Sequence, residues 1–165
     1  MSEEKVELLK VEKESDLPKW APRKEIVDFF HYKMKPYEDL PKDIEAALDY
    51  LFSDDPYAGG FLMLAKVDGK MGGLLAMLNT GMGGYVPENI LLFVSVDPAL
   101  RGRGIGRQII EGSIAECQGD VKLHVEYDNP AKRLYERVGF TTKYAEMRYE
   151  RSEERRVGKE CATGC

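Results

Sequence analysis

The first third of the chain combines one strand pattern with two helical patterns. Residues 6–11 are predicted to form an opening strand, and two later stretches repeat their apolar positions every three to four residues, the spacing of a helix. Each helical stretch begins near a proline, Pro22 or Pro41, whose fixed φ suits the first turn of a helix. The positions that define the two helices are Ile26, Phe29, Phe30 and Lys33, and then Ile44, Ala47, Leu48 and Leu51.

The middle of the chain predicts three strands. Two apolar runs, 61–67 and 71–78, flank Asp68-Gly69-Lys70. An Asp-Gly pair between such runs predicts a hairpin, because glycine accepts the positive φ that the turn needs. After a glycine-rich loop at 81–87, residues 90–96 are nearly all apolar, as in a strand buried on both faces. Asp97-Pro98 ends this strand, since proline cannot donate to a central ladder.

The rest of the chain predicts two more helices and two more strand regions. An amphipathic helix precedes an alternating strand at 121–127, and a short helix at 130–138 ends at Gly139. Residues 140–150 are predicted to form a last strand or strand pair. The predicted fold class is α/β, a mixed sheet with helices on both faces, in the order β-α-α-β-β-β-α-β-α-β. The apolar positions of the amphipathic helix are Ile105, Ile109, Ile110, Ile114 and Cys117.

Composition adds that this is an ordinary globular chain. It has 165 residues, of which 43% are hydrophobic and 32% charged, enough for one domain with a core of its own. No apolar run approaches the roughly 20 residues that span a bilayer, and the acidic start has no signal-peptide pattern. The net charge of −5 argues against nucleic acid or an anionic membrane as the main partner.

The last fifteen residues do not resemble the rest. Residues 151–161 have no amphipathic period and resemble the translation of a DNA-sequencing adapter, with a short remnant at 162–165. We therefore expect one domain at 1–150 and a non-native tail at 151–165; a natural disordered tail is the alternative. The tail carries four basic and three acidic residues, which leaves 20 and 26 in the domain, a charge of −6.

Without the tail, the domain keeps one cysteine, Cys117, on the apolar stripe of its helix. One thiol cannot form an internal disulfide, so we expect a cytoplasmic protein in which Cys117 packs and is not a nucleophile. With two histidines in the chain and no metal-ligand spacing, we expect no metal.

Arg101-Gly102-Arg103-Gly104-Ile105-Gly106 lies between the apolar strand and the amphipathic helix. Glycines at a helix start let backbone N–H groups approach a ligand, and together with the helix dipole they form an anion site. With Arg107, three arginines fall within seven residues, although the chain as a whole is acidic. Phosphate is therefore the expected ligand. A dinucleotide fingerprint would need glycine at 107, and the Gly-Lys-Ser/Thr of a P-loop is absent. A turn that uses glycine only for its geometry remains the alternative.

This loop also resembles a known family pattern. Arg101-x-x-Gly104-x-Gly106 is similar to the pyrophosphate loop of the GCN5-related N-acetyltransferase (GNAT) superfamily. The likeness extends from Leu91 to Phe140, including Val94-Ser95-Val96-Asp97-Pro98 and the segment from Asn129 to Phe140. The resemblance implies a GNAT-type, mostly antiparallel mixed sheet and acetyl-CoA as co-substrate.

The resemblance also implies roles for individual positions. Backbone N–H groups from Gly102 to Arg107 would hold the coenzyme A pyrophosphate, and the backbone of Val94 and Val96 would meet the pantetheine arm. Asn129 would contact the cofactor and cap the last helix. The full set of implied cofactor-binding positions is Val94, Ser95, Val96, Arg101, Gly102, Arg103, Gly104, Ile105, Gly106, Arg107 and Asn129.

Tyr135 is the implied general acid, which would protonate the departing thiolate. It also lies on the inward side of its helix, so a role as core filler stays open. The general base is less clear, because the position where some family members carry glutamate is Ile90. Glu88, just before the strand, is the nearest carboxylate, and an ordinary exposed loop residue is the alternative. Weaker candidates for the base are His124, Glu126 and His31.

We therefore expect a cytoplasmic N-acetyltransferase that moves an acetyl group from acetyl-CoA to a primary amine by direct attack in a ternary complex. The acceptor would be a small-molecule or peptide amine, bound near residues 29–37, 54–60 and 80–85. No nucleic-acid or membrane partner is expected, and the protein would be a monomer or homodimer. Two alternatives stay open: a non-catalytic acyl-CoA-binding or sensing domain, and a phosphate- or RNA-binding module built on the arginines.

Overall fold

The computed structural model describes residues 6–36 and 39–151, and shows one sheet with helices on both faces. Of the predicted tail, all but Arg151 lies outside the described residues. The five strands lie in chain order: β1 Glu7–Val11, β2 Gly60–Val67, β3 Lys70–Asn79, β4 Asn89–Val96 and β5 Val121–Leu123. The four helices are α1 Arg23–Lys33, α2 Pro41–Leu51, α3 Ile105–Ala115 and α4 Ala131–Val138. The first four strands pair antiparallel, and β5 runs parallel to β4.

The local predictions for the first half are confirmed. Pro22 is the N-cap of α1 and Pro41 is the first residue of α2. The hairpin turns at Asp68 and Gly69, with φ of 50° and 78°, as a two-residue turn with two positive φ values requires. Lys70, predicted as part of the turn, already pairs with Val67 as the first residue of β3.

Two apolar cores lie on opposite faces of the sheet. On one face, α1 and α2 pack through residues such as Phe30 and Leu48, both essentially inaccessible to solvent. On the other face, α3 and α4 pack through residues such as Ile109 and Tyr135. This two-sided packing confirms the predicted mixed α/β class and explains why β2 and β3 are nearly continuous apolar runs.

A bulge in β4 decides which face each of its residues meets. Ala76 pairs with Phe93 and Met77 with Leu91, so Leu92 has no partner on β3. Phe93 therefore joins the α1–α2 core, and Leu91 joins the α3–α4 core. Both faces of β4 therefore meet an apolar core, as predicted, although half-buried residues alternate with buried ones along the strand.

Two predicted strand regions differ from the structure. The strand predicted at 121–127 ends at Leu123, and the residues from 140 to 151 form no strand. The physical reason is that residues 140–151 have no strand to pair with. β5 is only three residues long, and most of the 140–151 segment lies exposed to solvent. Tyr144 and Met147, whose pattern favoured a strand, are 61% and 91% exposed. The predicted order of elements holds up to α4.

Candidate functional site

The clearest opening in the sheet lies beside the second half of β4. The parallel pairing of β4 with β5 ends at Leu91 and Leu123, while β4 continues to Val96. The N–H of Asp97 donates to Gly72 O at 2.9 Å, so by the alternation of an antiparallel ladder the backbone of Val94 and Val96 points away from β3. Two residues of β4 thus present peptide groups to the opening.

Ser95 takes a different position from its two neighbours. It pairs with Leu74 of β3, and the same alternation directs its backbone groups toward that strand. Its side chain is 5% exposed, and within the described part of the chain its Oγ finds no hydrogen-bond partner. The structure therefore separates Ser95 from the open row formed by Val94 and Val96.

The loop after β4 ends in an uncapped helix N-terminus. Gly102 and Gly104 have φ of 83° and 76°, the left-handed conformation that glycine adopts without steric cost. Gly104 is the N-cap of α3, and no side chain caps that end of the helix. The first N–H groups of a helix have no intrahelical partners and carry the positive end of its dipole. This turn can therefore bind an anion through its backbone.

Gly106 lets three elements meet at this point. A Cβ on Gly106 would lie 3.2 Å from Leu134 Cδ2 of α4 and 3.5 Å from Val96 Cγ2 of β4. A larger side chain would push α3 away from both. Because position 106 is glycine, the start of α3 can lie close to both the end of β4 and α4.

The three arginines of the loop are exposed, but they have different surroundings. Arg107 Nε bonds Glu111 Oε1 at 2.5 Å, one helical turn along α3. Arg101 Nη2 donates to the carbonyl oxygen of Lys33, at the end of α1, at 3.1 Å. Arg101 and Arg107, predicted to share one role, are therefore engaged by different elements.

Tyr135 is buried at the inner side of α4. It is 8% exposed, packs in the α3–α4 core and meets the Phe140 ring edge-on, with 5.9 Å between centroids. Burial raises the pKa of its phenol to about 12, because the phenolate would lose its hydration. Among the described residues its hydroxyl has no hydrogen-bond partner. The group is thus a neutral donor at physiological pH.

Asn129 lies just before α4. Its Oδ1 accepts the N–H of Ala131, the first residue of the helix, at 2.9 Å. This bond satisfies one of the N–H groups that a helix start leaves without an internal partner. The predicted capping contact is present, made from one position before the N-cap residue Pro130.

Glu88 lies at the other end of β4, where β5 begins. Its Oε1 accepts the N–H of Asp120 at 3.3 Å, and its carboxylate lies against the Cα of Gly119 so closely that a Cβ there would clash. Leu91, the last residue paired with β5, is three residues and about 10 Å farther along the strand. A gap of this length is too wide for one bridging water, so a proton could reach Glu88 from the splayed region only through a chain of several waters.

The other titratable candidates lie away from this cleft or face solvent. His31 Nδ1 lies 2.8 Å from Asp39 O, and its ring packs edge-on against Tyr32. His124 and Glu126 are exposed beyond the end of β5. Cys117 is half-buried two residues past α3, and burial raises the pKa of its thiol, which disfavours the reactive thiolate.

Two residues that contact each other where the loop leaves β4 were missed by sequence reasoning. Asp97 Oδ1 accepts the N–H of Ala99, and its Oδ2 lies 3.7 Å from Lys33 Nζ. The Asp-Pro step could have indicated the first contact, since aspartate commonly bonds the backbone two residues on. No local signal marks the contact with Lys33, which lies 64 residues earlier in the chain.

Metal binding and membrane insertion each require recognisable structural features. The ranges 6–36 and 39–151 contain no group of three or more His, Cys, Asp or Glu residues placed to hold a metal ion. Within the same ranges, no helix has both the length and the apolar character needed to cross a bilayer.

Comparison with known proteins gives a consistent result. Residues 21–140 match the model of the acetyltransferase (GNAT) family. A mycothiol acetyltransferase of Catenulispora acidiphila is 36% identical over 69 residues, which are 39% of this chain. The match spans only 22% of that relative's length.

Solved structures share the fold at low sequence identity. An aminoglycoside acetyltransferase from an uncultured soil metagenomic sample, in complex with sisomicin, is 16% identical with a TM-score of 0.59, over 89% of this chain and 95% of that one. An aminoglycoside N-acetyltransferase in complex with CoA is 14% identical with a TM-score of 0.61, over 90% and 97% of the two chains.

The burial of Tyr135 generates a prediction for alkaline stability. The unfolded phenol loses its proton near pH 10, whereas the folded one holds it to about pH 12, so the unfolded state binds fewer protons in this window and stability falls as pH rises. Between pH 9 and pH 11 the Tyr135 contribution should cost about 1.4 kcal/mol of unfolding free energy. Tyr135→Phe should lack this loss in urea titrations. Tyr127→Phe, at a residue 83% exposed, is the control and should keep it; equal pH dependence of both variants would contradict the assignment.

Proposed function

Because this chain belongs to the acetyltransferase (GNAT) family, we propose that it transfers an acetyl group from acetyl-CoA to a primary amine by direct attack in a ternary complex. Acetyl transfer is the activity of the class; the donor, the acceptor and the order of steps are the proposal. One observation carries it: the edge of β4 that β5 leaves unpaired is followed, after the loop at 97–104, by the N-terminus of α3, which no side chain caps. An amide-containing arm that ends in a pyrophosphate is complementary to both parts.

The residues present fit coenzyme A on chemical grounds. The N–H groups at Gly102 to Arg107, with Arg103 and Arg107 beside them, suit a doubly charged pyrophosphate. The peptide groups of Val94 and Val96 suit the amides of the pantetheine arm, and Asn129 lies near the start of α4. When bound, acetyl-CoA supplies the activated thioester. A backbone N–H directed into the opening would polarise the thioester carbonyl, which develops negative charge during attack.

Tyr135 would hold the proton for the leaving sulfur. Its pKa of about 12 keeps the phenol protonated at physiological pH. That value exceeds the ordinary thiol pKa of about 8.5, so complete transfer in water would be unfavourable. In the cleft, burial raises the pKa of a thiol as well, and the phenol first stabilises the developing thiolate by a hydrogen bond.

Tyr135→Phe tests this assignment. The substitution keeps the ring and its contact with Phe140 but removes the proton, so kcat should fall about a hundredfold. The dissociation constant of coenzyme A should change less than twofold, since the pyrophosphate loop is untouched. Steady-state kinetics with a good acceptor measure kcat, and calorimetric titration measures the dissociation constant of coenzyme A. Unchanged turnover would reject the role of Tyr135 as acid.

Glu88 is the proposed general base, acting through a chain of several water molecules on the attacking ammonium. Glu88→Gln is a clean test, because the amide oxygen can still accept the Asp120 N–H and so preserve the loop. We expect kcat/KM at neutral pH to fall at least about tenfold. Glu116→Gln is the matched control on an exposed glutamate. Unchanged kcat/KM in Glu88→Gln would exclude Glu88 from the mechanism.

The acceptor class can be sought with a panel of amines. The metagenomic structure holds sisomicin, so this compound joins spermidine and a peptide with a free N-terminus in an assay for thiol release from acetyl-CoA. We expect release above background hydrolysis with at least one of the three. A cationic acceptor is favoured by the acidic balance of the chain.

A non-catalytic acyl-CoA-binding domain is the second candidate. It is favoured by Ile90, which occupies the position of the family's glutamate and pairs with Lys122 inside the β4–β5 ladder. Stabilisation by coenzyme A in thermal unfolding, without thiol release for any amine, would support this alternative. Absence of any stabilisation by coenzyme A would contradict both candidates.

A further inference from the structure

The phosphate loop is attached to a helix on the opposite face of the sheet. Arg101 Nη2 donates to Lys33 O at 3.1 Å, across 68 residues of sequence. Lys33 is the last residue of α1, and the final carbonyls of a helix have no internal partners and carry the negative end of its dipole. The Arg101 guanidinium therefore caps the C-terminal end of α1. This contact gives Arg101 a structural role in addition to any contact with a phosphate.

A second contact joins the same two segments. Lys33 Nζ lies 3.7 Å from Asp97 Oδ2, and these side chains are 38% and 29% exposed. Asp97 Oδ1 meanwhile accepts the Ala99 N–H at 3.0 Å, and its own N–H donates to Gly72 O. Asp97 thus connects the end of β4, the turn that begins the loop, and α1.

We propose that Lys33 and Asp97, together with the Arg101 cap, form a clamp that holds the phosphate loop in its binding conformation against the end of α1. Lys33 and Asp97 are positioning residues: they act through the loop backbone and need not touch the coenzyme. The inference rests on the proposed function, because it assigns these residues to the coenzyme A loop.

The clamp also gives α1 a functional connection to the cleft. Residues 29–37, which begin within α1, are one of the stretches expected to lie near the acceptor. Arg101 and Asp97 both contact Lys33, the last residue of α1. A bound pyrophosphate that fixes the loop would therefore also hold the end of α1 in place.

Lys33→Gln and Asp97→Asn test the clamp. Each removes the ion pair, while the Lys33 carbonyl still accepts from Arg101 and the asparagine Oδ1 can still accept from Ala99. We expect each variant to raise the dissociation constant of coenzyme A and the KM for acetyl-CoA about twofold to fivefold, the size of a partly exposed ion pair. The kcat at saturating acetyl-CoA should stay unchanged, a split that general destabilisation would not produce.

The double variant separates the clamp from a direct charge effect. If Lys33 acts only through Asp97, combining the two substitutions should weaken binding no more than the worse single one. Fully additive effects would show that Lys33 attracts the phosphates directly and would overturn the clamp. Lys10→Gln breaks a similar pair, Lys10–Glu12 at 3.5 Å on the far edge strand, and should change neither constant.

The outcomes distinguish this inference from the proposed function. If the unmodified protein binds coenzyme A and both single variants bind it equally well, the clamp is wrong and the function stands. If the unmodified protein does not bind coenzyme A, the proposed function fails, and the clamp fails with it.

Discussion

Everything proposed for this protein depends on β4 having a complete partner on only one side. Along β3 its ladder runs to Val96, but the parallel ladder with β5 stops at Leu91. Backbone groups at a sheet edge must find partners, and in most proteins water or another strand supplies them. Here the stretch of β4 beyond Leu91 has no partner on β5, and Gly106 of α3 and Leu134 of α4 lie beside its end at Val96. The splayed pair of strands is therefore the structural basis of the proposed site.

The chemistry of the cleft follows from packing on one face of the sheet. A glycine at 106 allows α3 to approach α4, and that approach buries Tyr135 against the core. The same burial makes the phenol hard to ionise and keeps its proton available. The N-terminus of α3, which no side chain caps, provides the opposite environment, because it carries the positive end of the helix dipole in an otherwise acidic chain. The proposed proton donor and the proposed anion site thus depend on the same pair of helices.

The loop at the end of β4 connects helices that lie on opposite faces of the sheet. The strand ends at Val96, and the loop that leaves it contacts α1 on one face before it starts α3 on the other. Because α1 is also tied to α2 through Arg23, which bonds Glu45 and Asp49, a shift of the loop would be resisted by both helices. The loop after β4 is therefore connected to α1 by two side-chain contacts, Arg101 with the Lys33 carbonyl and Asp97 with the Lys33 ammonium.

The sequence by itself determined the features that depend on neighbouring residues. Pro22 and Pro41 marked the helix starts, Asp68-Gly69 marked the hairpin, and the spacing of Arg101, Gly104 and Gly106 located the loop, because each acts through local φ values and helix ends. Only the tertiary structure decided where β5 stops, that residues 140–151 form no strand, and that Glu88 meets Asp120 and Arg101 meets Lys33. Those contacts join residues 32 and 68 positions apart. Strand pairing and long-range ion pairs depend on partners that no local pattern specifies, so the fold was largely predictable and the connections around the site were not.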